Sequence, residues 1–299
     1  MKLLLSGSHG LVGKALSKSL TKDGYEVINL VRRDRVYGKP EIEWHPNKGL
    51  LDASQIEGFD AVVHLAGESI ASGRWTDEKK RRIRESRVQG TTLLSQALAR
   101  LSRPPLRFIC ASAIGYYGSR GDEVLTEESR AGNDFLSEVC VEWERATQPA
   151  SEKGINTCMT RFGIILDKEG GALEKMLTPF RLGLGGKIGD GKQWMSWIAL
   201  NDVVSALGFL LESSSMHGPV NIVAPNPVTN ADFTKTLGKV LSRPTFLSVP
   251  AFAVRLAFGE MADGLLLSSA KVEPKKLKDE GFKYRFPNLD AALSEVLGG

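Results

Sequence analysis

The apolar run Lys2-Leu3-Leu4-Leu5-Ser6 passes directly into Gly7-Ser8-His9-Gly10-Leu11-Val12-Gly13, and this junction constrains the fold more than any other feature of the chain. The glycines recur as G-x-x-G-x-x-G between a strand and an amphipathic helix. Gly7 permits the tight turn out of the strand. Gly10 leaves the backbone bare where a pyrophosphate would lie, and Gly13 lets the helix approach the sheet. First-turn amides at Leu11, Val12 and Gly13 then face the anion, helped by the helix dipole. A plain glycine-rich turn would carry the same letters. The context favours a dinucleotide cradle, because a second strand, Glu26–Val31, follows at the expected distance.

The end of that second strand selects the dinucleotide. An Asp or Glu there would bond the ribose hydroxyls of NAD. This chain reads Val31-Arg32-Arg33, with Asp34 only afterwards. Arginine offers a planar fork to a 2′-phosphate, and each charge-assisted bond is worth about 1.5–3 kcal/mol. NADP(H) is therefore the expected cofactor, in preference to NAD(H). Two solvated loop arginines would be the plainer reading.

Short β-branched runs alternate with helical stretches, the pattern of parallel α/β folding. Strands are expected at Lys2–Ser6, Glu26–Val31, Ala61–Leu65, Arg107–Ser112 and Asn156–Arg161. Helices are expected at Leu11–Asp23, Asp77–Leu101 (with Thr76 as N-cap) and Phe135–Lys153. The fold class is α/β, a Rossmann-type parallel sheet with helices on both faces and a smaller C-terminal substrate lobe. Residues 1–165 read as the NADP-binding domain, to which later segments return. Residues 166–299 read as a mixed α/β lobe with a helical extension, containing a strand at Val220–Val223 and a helix at Asn230–Leu241.

Other function classes recede on composition. A formal charge of +4 among 299 residues is too weak to imply nucleic acid. The run Lys79–Arg84 sits among Asp77, Glu78 and Glu85 and reads as a solvated helix face. No stretch approaches the roughly 18 apolar residues of a membrane span, and the apolar start stops at Ser6-Gly7, short of a signal peptide. Three cysteines and four scattered histidines give no metal spacing. The expectation is a cytoplasmic protein with no metal, no nucleic acid and no membrane partner, acting on a small molecule.

These motifs, together with His64-Leu65-Ala66-Gly67-Glu68, Ser86-Arg87-x-x-Gly90-Thr91, Ser112–Gly118, Pro179–Gly191 and Ser196-Trp197-Ile198, make the chain resemble an extended short-chain dehydrogenase/reductase. The likeness is to its atypical, YfcH-like epimerase-family branch and covers nearly the whole length. It implies that Leu65 and Ala66 lie beside the adenosine half of the cofactor, with Gly67 also among the cofactor-binding residues. It places Arg87 close to the cofactor, where extended enzymes usually carry Asn, and Ile165 at the nicotinamide side. Ser112 would match the serine that hydrogen-bonds substrate.

The family's Tyr-x-x-x-Lys dyad is missing. The matching stretch reads Phe135-Leu136-Ser137-Glu138-Val139, and neither phenylalanine nor valine can move a proton. Tyr116 is the candidate replacement for the phenolic proton, with Tyr117 beside it; packing at a turn is the plainer role for both. Lys187 and Lys192 flank a glycine-rich loop, and Trp194, Met195 and Trp197 line either a pocket or a core. His64 reads as packing or a supporting hydrogen bond. Two functions are expected to compete. One is an NADP(H)-dependent oxidoreductase or epimerase on a small molecule, with Ser112 and Tyr116 orienting it. The other is a dinucleotide-binding sensor or scaffold that acts through a protein partner.

Overall fold

The computed structural model describes residues 1–298. Its first half runs β1 (Lys2–Ser6), α1 (Leu11–Lys22), β2 (Glu26–Val31), β3 (Glu41–His45), β4 (Leu50–Leu51), β5 (Ala61–His64), α2 (Asp77–Arg100), β6 (Arg107–Ala113), β7 (Val124–Leu125), α3 (Phe135–Arg145), α4 (Gln148–Glu152) and β8 (Asn156–Phe162). The second half runs β9 (Ile164–Leu166), α5 (Gly171–Arg181), β10 (Gly186–Ile188), β11 (Trp194–Met195), β12 (Trp197–Ala199), α6 (Leu200–Glu212) and β13 (Gly218–Ile222). It continues with β14 (Val228–Thr229), α7 (Asn230–Leu241), β15 (Leu247–Val249), α8 (Ala251–Phe258), β16 (Lys271–Val272), α9 (Lys275–Asp279) and α10 (Leu289–Gly298).

Eight strands form one sheet in the order β13-β8-β6-β5-β1-β2-β3-β4. All neighbours are parallel except the β3–β4 pair. Strands covered on both faces read as continuous apolar runs, and Leu3, Leu4 and Leu5 are fully buried accordingly. Leu3 and Leu5 pack under α1 and α6 with Leu16, Leu207 and Leu210. Leu4 faces the opposite layer with Trp44, Leu94 and Leu98. A third core, around Trp197, Phe233 and Leu293, belongs to the second half of the chain. Among the described residues no helix is long and apolar enough to cross a membrane.

Local chemistry explains the boundaries. Thr76 caps α2, its hydroxyl accepting from the Lys79 amide at 3.2 Å. The helix expected over Phe135–Lys153 breaks instead into α3 and α4. Pro149 lacks an amide and its ring would meet the carbonyl four residues back, which disfavours continuing α3, and the proline instead sits in the first turn of α4. β13 returns from the second half to pair with β8 in the main sheet, Val220 opposite Thr160.

Candidate functional site

The sheet order reverses between β1 and β5, and the C-terminal ends of the strands open there into loops, where open α/β sheets take their ligands. Gly7 has φ +76°, the left-handed region in which only glycine is unstrained. A Cβ on it would also stand 2.7 Å from the Leu65 carbonyl carbon and 2.8 Å from the Ala66 amide nitrogen. Its glycine therefore serves close approach to the β5 loop as well as the turn. A Cβ on Gly13 would lie 2.2 Å from the Gly7 carbonyl oxygen, so α1 can seat against the loop only through glycine. Gly10 is the N-cap, extended at φ −75° and ψ 170°, and no side chain caps the first turn. The amides of Leu11, Val12 and Gly13 begin a helix with no acidic residue in its first turn, so nothing there repels an anion.

At the end of β2 the two arginines part company. Arg33 is held bidentately by Glu41, at 3.0 and 2.6 Å, and Glu41 also accepts the Val36 amide at 2.9 Å. This pair closes the loop between β2 and β3, and the Arg33 guanidinium is engaged there. Arg32 is exposed and has no ion pair among the described residues. Val31 is buried beneath it at the strand end.

Leu65, Ala66 and Gly67 continue from β5 past the glycine loop, and the Leu65 amide donates to the Ser6 carbonyl at 3.2 Å. The Arg87 side chain lies against Gly67, 3.5 Å from where a Cβ would stand, and donates to the Ile83 carbonyl at 3.0 Å. Its guanidinium also stacks over Trp143 at 5.0 Å. Next to Gly67, Glu68 pairs at 2.7 Å with the buried ammonium of Lys79, which holds the Glu68 carboxyl below its usual range. Below the loop, Ser6 Oγ and His64 Nδ1 lie 2.5 Å apart. Burial pushes the His64 imidazole down to about 4, so it is neutral.

The far end of the site departs most from sequence expectation. Ser112 is buried, and its hydroxyl donates to Glu144 Oε1 at 2.7 Å. Glu144 is gripped by Arg161 through two bonds of 2.7 Å. Arg161 donates further to the Tyr117 hydroxyl at 2.9 Å, and that hydroxyl donates to Asn221 Oδ1 at 2.7 Å. Tyr117 is fully buried and its phenol is pushed up to about 12 by desolvation, so it is packing. Tyr116 is half-buried, its ring stacked on the Arg161 guanidinium at 3.4 Å. Sequence reasoning misses Glu144, Arg161 and Asn221. A charge pair within an apolar strand (Arg161) and on the inner face of a helix (Glu144) is the available signal.

Phe135 and Val139 stand where the dyad would. Phe135 packs edge-on to Trp75 at 5.4 Å under the cations of Lys80 and Arg84. Val139 is buried with Ile83, Leu136 and Met261. Ile165 lies on β9, partly buried beside the core under α1, and the following Gly170 reaches Leu11, 3.2 Å from a Cβ position. Met195 and Trp197 are core, whereas Trp194 is half-buried and donates to Asp122 at 2.7 Å. Lys187 and Lys192 are exposed, and Lys80, Arg82 and Arg84 are paired with Glu260, Glu78 and Glu138.

The model of the NAD dependent epimerase/dehydratase family matches residues 3–223, and that of a domain of unknown function, DUF1731, matches residues 249–296. Epimerase family protein Mb2239 of Mycobacterium bovis is 42% identical over 289 residues, covering 97% of this chain and 95% of its own. Epimerase family protein SDR39U1 of Homo sapiens is 36% identical over 300 residues, covering 99% and 100%. The crystal structure of that human protein (isoform 2) with NADPH superposes with a TM-score of 0.91 at 34% identity, covering all of both chains. A nucleoside-diphosphate sugar epimerase from Corynebacterium glutamicum gives 0.83 at 39% identity, covering all of this chain and 58% of that one.

Proposed function

We propose that this chain, which belongs to the NAD-dependent epimerase/dehydratase family, binds NADP(H) across the C-terminal ends of β1, β2, β5 and β6 and works on a small molecule as an oxidoreductase or epimerase. The observation that carries the reading is the cradle. Gly7 and Gly13 occupy places that a Cβ would fill with backbone overlap, and the uncapped first turn of α1 opens beside them. A pyrophosphate fits that surface by shape and by the amide dipoles. The relative solved with NADPH supports the same cofactor.

In this reading Leu11, Val12 and Gly13 hold the pyrophosphate through their amides, and Arg32 meets the 2′-phosphate. Leu65, Ala66 and Gly67 flank the adenosine half, with Arg87 and Ile165 further along. Residues 166–298, apart from α6, β13 and α9, which pack on the main sheet, form the lobe that receives the substrate. The bound cofactor supplies hydride chemistry. The chain itself must orient the substrate and handle one proton. Tyr116 is the phenol left for that task, since Tyr117 is sealed and Phe135 has none to give. Ser112, tied to Glu144, fixes the floor under Tyr116 through Arg161.

A second reading, a dinucleotide sensor acting through a protein partner, is favoured by one observation: the hydroxyl of Ser112 is already donated to Glu144 within the protein. The two are separated by screening aldehydes, ketones, quinones and nucleotide sugars for NADPH oxidation, and repeating any hit with Tyr116→Phe. General acid–base assistance is worth about 10²–10⁴ in rate, so the variant should lose turnover on that scale with NADPH affinity unchanged. An unaffected rate removes Tyr116 from the chemistry. No turnover on any class, with tight NADPH binding, selects the sensor.

A further inference from the structure

Two cations face one hollow in the second half of the chain, and neither is neutralised. Lys187 on β10 and Lys235 on α7 line a cleft of about 270 Å³, together with Ala231, Thr234, Thr245 and Phe246. Both lysines are exposed, and neither ammonium has an acidic partner among the described residues. The acids beside them in sequence are turned elsewhere. Asp190 accepts the Lys192 amide at 3.0 Å, and Asp232 accepts the Thr229 hydroxyl at 2.6 Å. Two like charges sharing a cleft repel each other, and an anion between them reverses the sign of that interaction.

The walls of the cleft are fixed by packing. Ala231, Thr234 and Lys235 recur at i, i+3 and i+4 and so share one face of α7. One turn on, Gly238 admits the facing wall, because a Cβ there would overlap the Thr245 methyl and stand 2.9 Å from the Arg243 carbonyl oxygen. Arg243 Nε donates to the Arg181 carbonyl at 2.9 Å and pins that segment. The parallel register supplies the third side. Lys187 is paired with Ser248, so Phe246, two residues before Ser248, projects to the same face of the ribbon as Lys187. Its ring is 82% exposed at the mouth. On the floor, Thr234 is only 4% exposed, yet its hydroxyl has no hydrogen-bond partner among the described residues. A buried hydroxyl left unpaired is disfavoured, and a ligand oxygen in the cleft would satisfy it.

We infer that this cleft is a mononucleotide site separate from the cofactor cradle, with the phosphate held between Lys187 and Lys235 over the Thr234 hydroxyl and the base stacked on Phe246. Each group suits its part. Lysine ammoniums bind phosphate as point charges, and an exposed aromatic ring stacks on any base because every base has a π-face. No carboxylate lines the cleft, so nothing there repels the phosphate. Size sets the limit. A volume of about 270 Å³ lies just under the roughly 300–1,000 Å³ of pockets that bury drug-sized ligands, which leaves room for one phosphorylated nucleoside and too little for a dinucleotide. Neither the glycine loop, Arg32, the Leu65–Gly67 segment nor Tyr116 lines it, so the site fills independently of the cofactor.

The measurement is calorimetric titration of the full chain, saturated with NADPH so that the cradle is filled. The titrants are adenosine 5′-monophosphate and uridine 5′-monophosphate, and separately inorganic phosphate and adenosine. Both mononucleotides should bind at one site with Kd below about 1 mM, more tightly than phosphate or adenosine alone. Lys187→Gln/Lys235→Gln should weaken them by more than about tenfold, and Phe246→Ala by about tenfold. Those three side chains lie in solvent, so NADPH affinity and the thermal melt should stay those of the parent. Thr234→Val keeps the shape of the floor and should weaken both mononucleotides severalfold. Should the chain fail to take up NADPH, the cofactor reading falls, while titration of the unliganded chain and of the double lysine variant still decides this one. No binding of either mononucleotide at about 1 mM overturns the inference, as does binding that the double substitution leaves unchanged. Inorganic phosphate bound as tightly as the mononucleotides, with no effect of Phe246→Ala, also overturns it and leaves a simple anion site.

Discussion

Two glycines of the cradle should fail in opposite ways, and the difference is calculable. Gly13 lies inside α1, where alanine is ordinarily favoured over glycine by about 1 kcal/mol. Here the new Cβ would stand 2.2 Å from the Gly7 carbonyl oxygen and 2.8 Å from the Ser8 Cα. Both are backbone atoms that cannot swing aside. Overpacking of this kind costs about 1–3 kcal/mol or more, so Gly13→Ala should be destabilised by about 1–2 kcal/mol net, a fall of roughly 2–6 °C in Tm. Gly10 has an extended backbone, and its Cβ meets only the Gly7 oxygen at 3.3 Å. Gly10→Val should cost about 1 kcal/mol as a poorer N-cap, yet fill the place reserved for the pyrophosphate. Its NADPH affinity should fall by more than about 100-fold, roughly 2.8 kcal/mol. Calorimetric titration and thermal melts of both variants read the two effects separately. Gly13→Ala at or above wild-type stability would refute the close approach of α1. Gly10→Val binding NADPH like the parent would refute the cradle.

Four further outcomes follow from the same geometry. Glu144→Ala leaves the buried Arg161 guanidinium without its partner and should cost about 3–5 kcal/mol in chemical denaturation. Glu144→Leu/Arg161→Leu should recover a good part of that, and a loss below about 1 kcal/mol in the single variant would contradict the network. His64 is held neutral at about 4 in the fold, below its unfolded value near 6.5. The unfolded chain thus binds the extra proton first, and stability should be lost as pH falls from about 6.5 toward 4. His64→Gln should flatten that slope by about one proton. Arg32→Asp should weaken NADPH and leave NADH nearly unchanged. Arg33→Ala should alter both affinities alike, because Arg33 braces the loop against Glu41; a selective loss of NADPH in Arg33→Ala would return that arginine to the phosphate.

Much of the fold was legible because its determinants are local. Apolar runs bounded by glycine or polar residues locate β1, β2 and β5, and Thr76 followed by Asp77 and Glu78 announces α2. What stayed hidden has physical reasons. β3, Glu41–His45, sets buried Ile42 and Trp44 between Glu41, Glu43 and His45, so it lacks the continuous apolar run that marks β1 and β5. α5 carries Pro179 within it, which argues against a helix on sequence. The glycine motif reports a covalently contiguous cradle, so its residues arrive together. The Ser112–Glu144–Arg161–Tyr117–Asn221 chain joins four elements and a turn through burial, which no spacing rule reaches. Arg33 likewise looks free beside Arg32 until β3 brings Glu41 across.

The central claim is an NADP(H) site selected at the end of β2, and parallel calorimetric titration of the unmodified chain with NADPH and NADH tests it most directly. With Arg32 making one charge-assisted contact worth about 1.5–3 kcal/mol, NADPH should bind roughly 10- to 150-fold more tightly. Equal affinities, or binding of neither nucleotide, would contradict it.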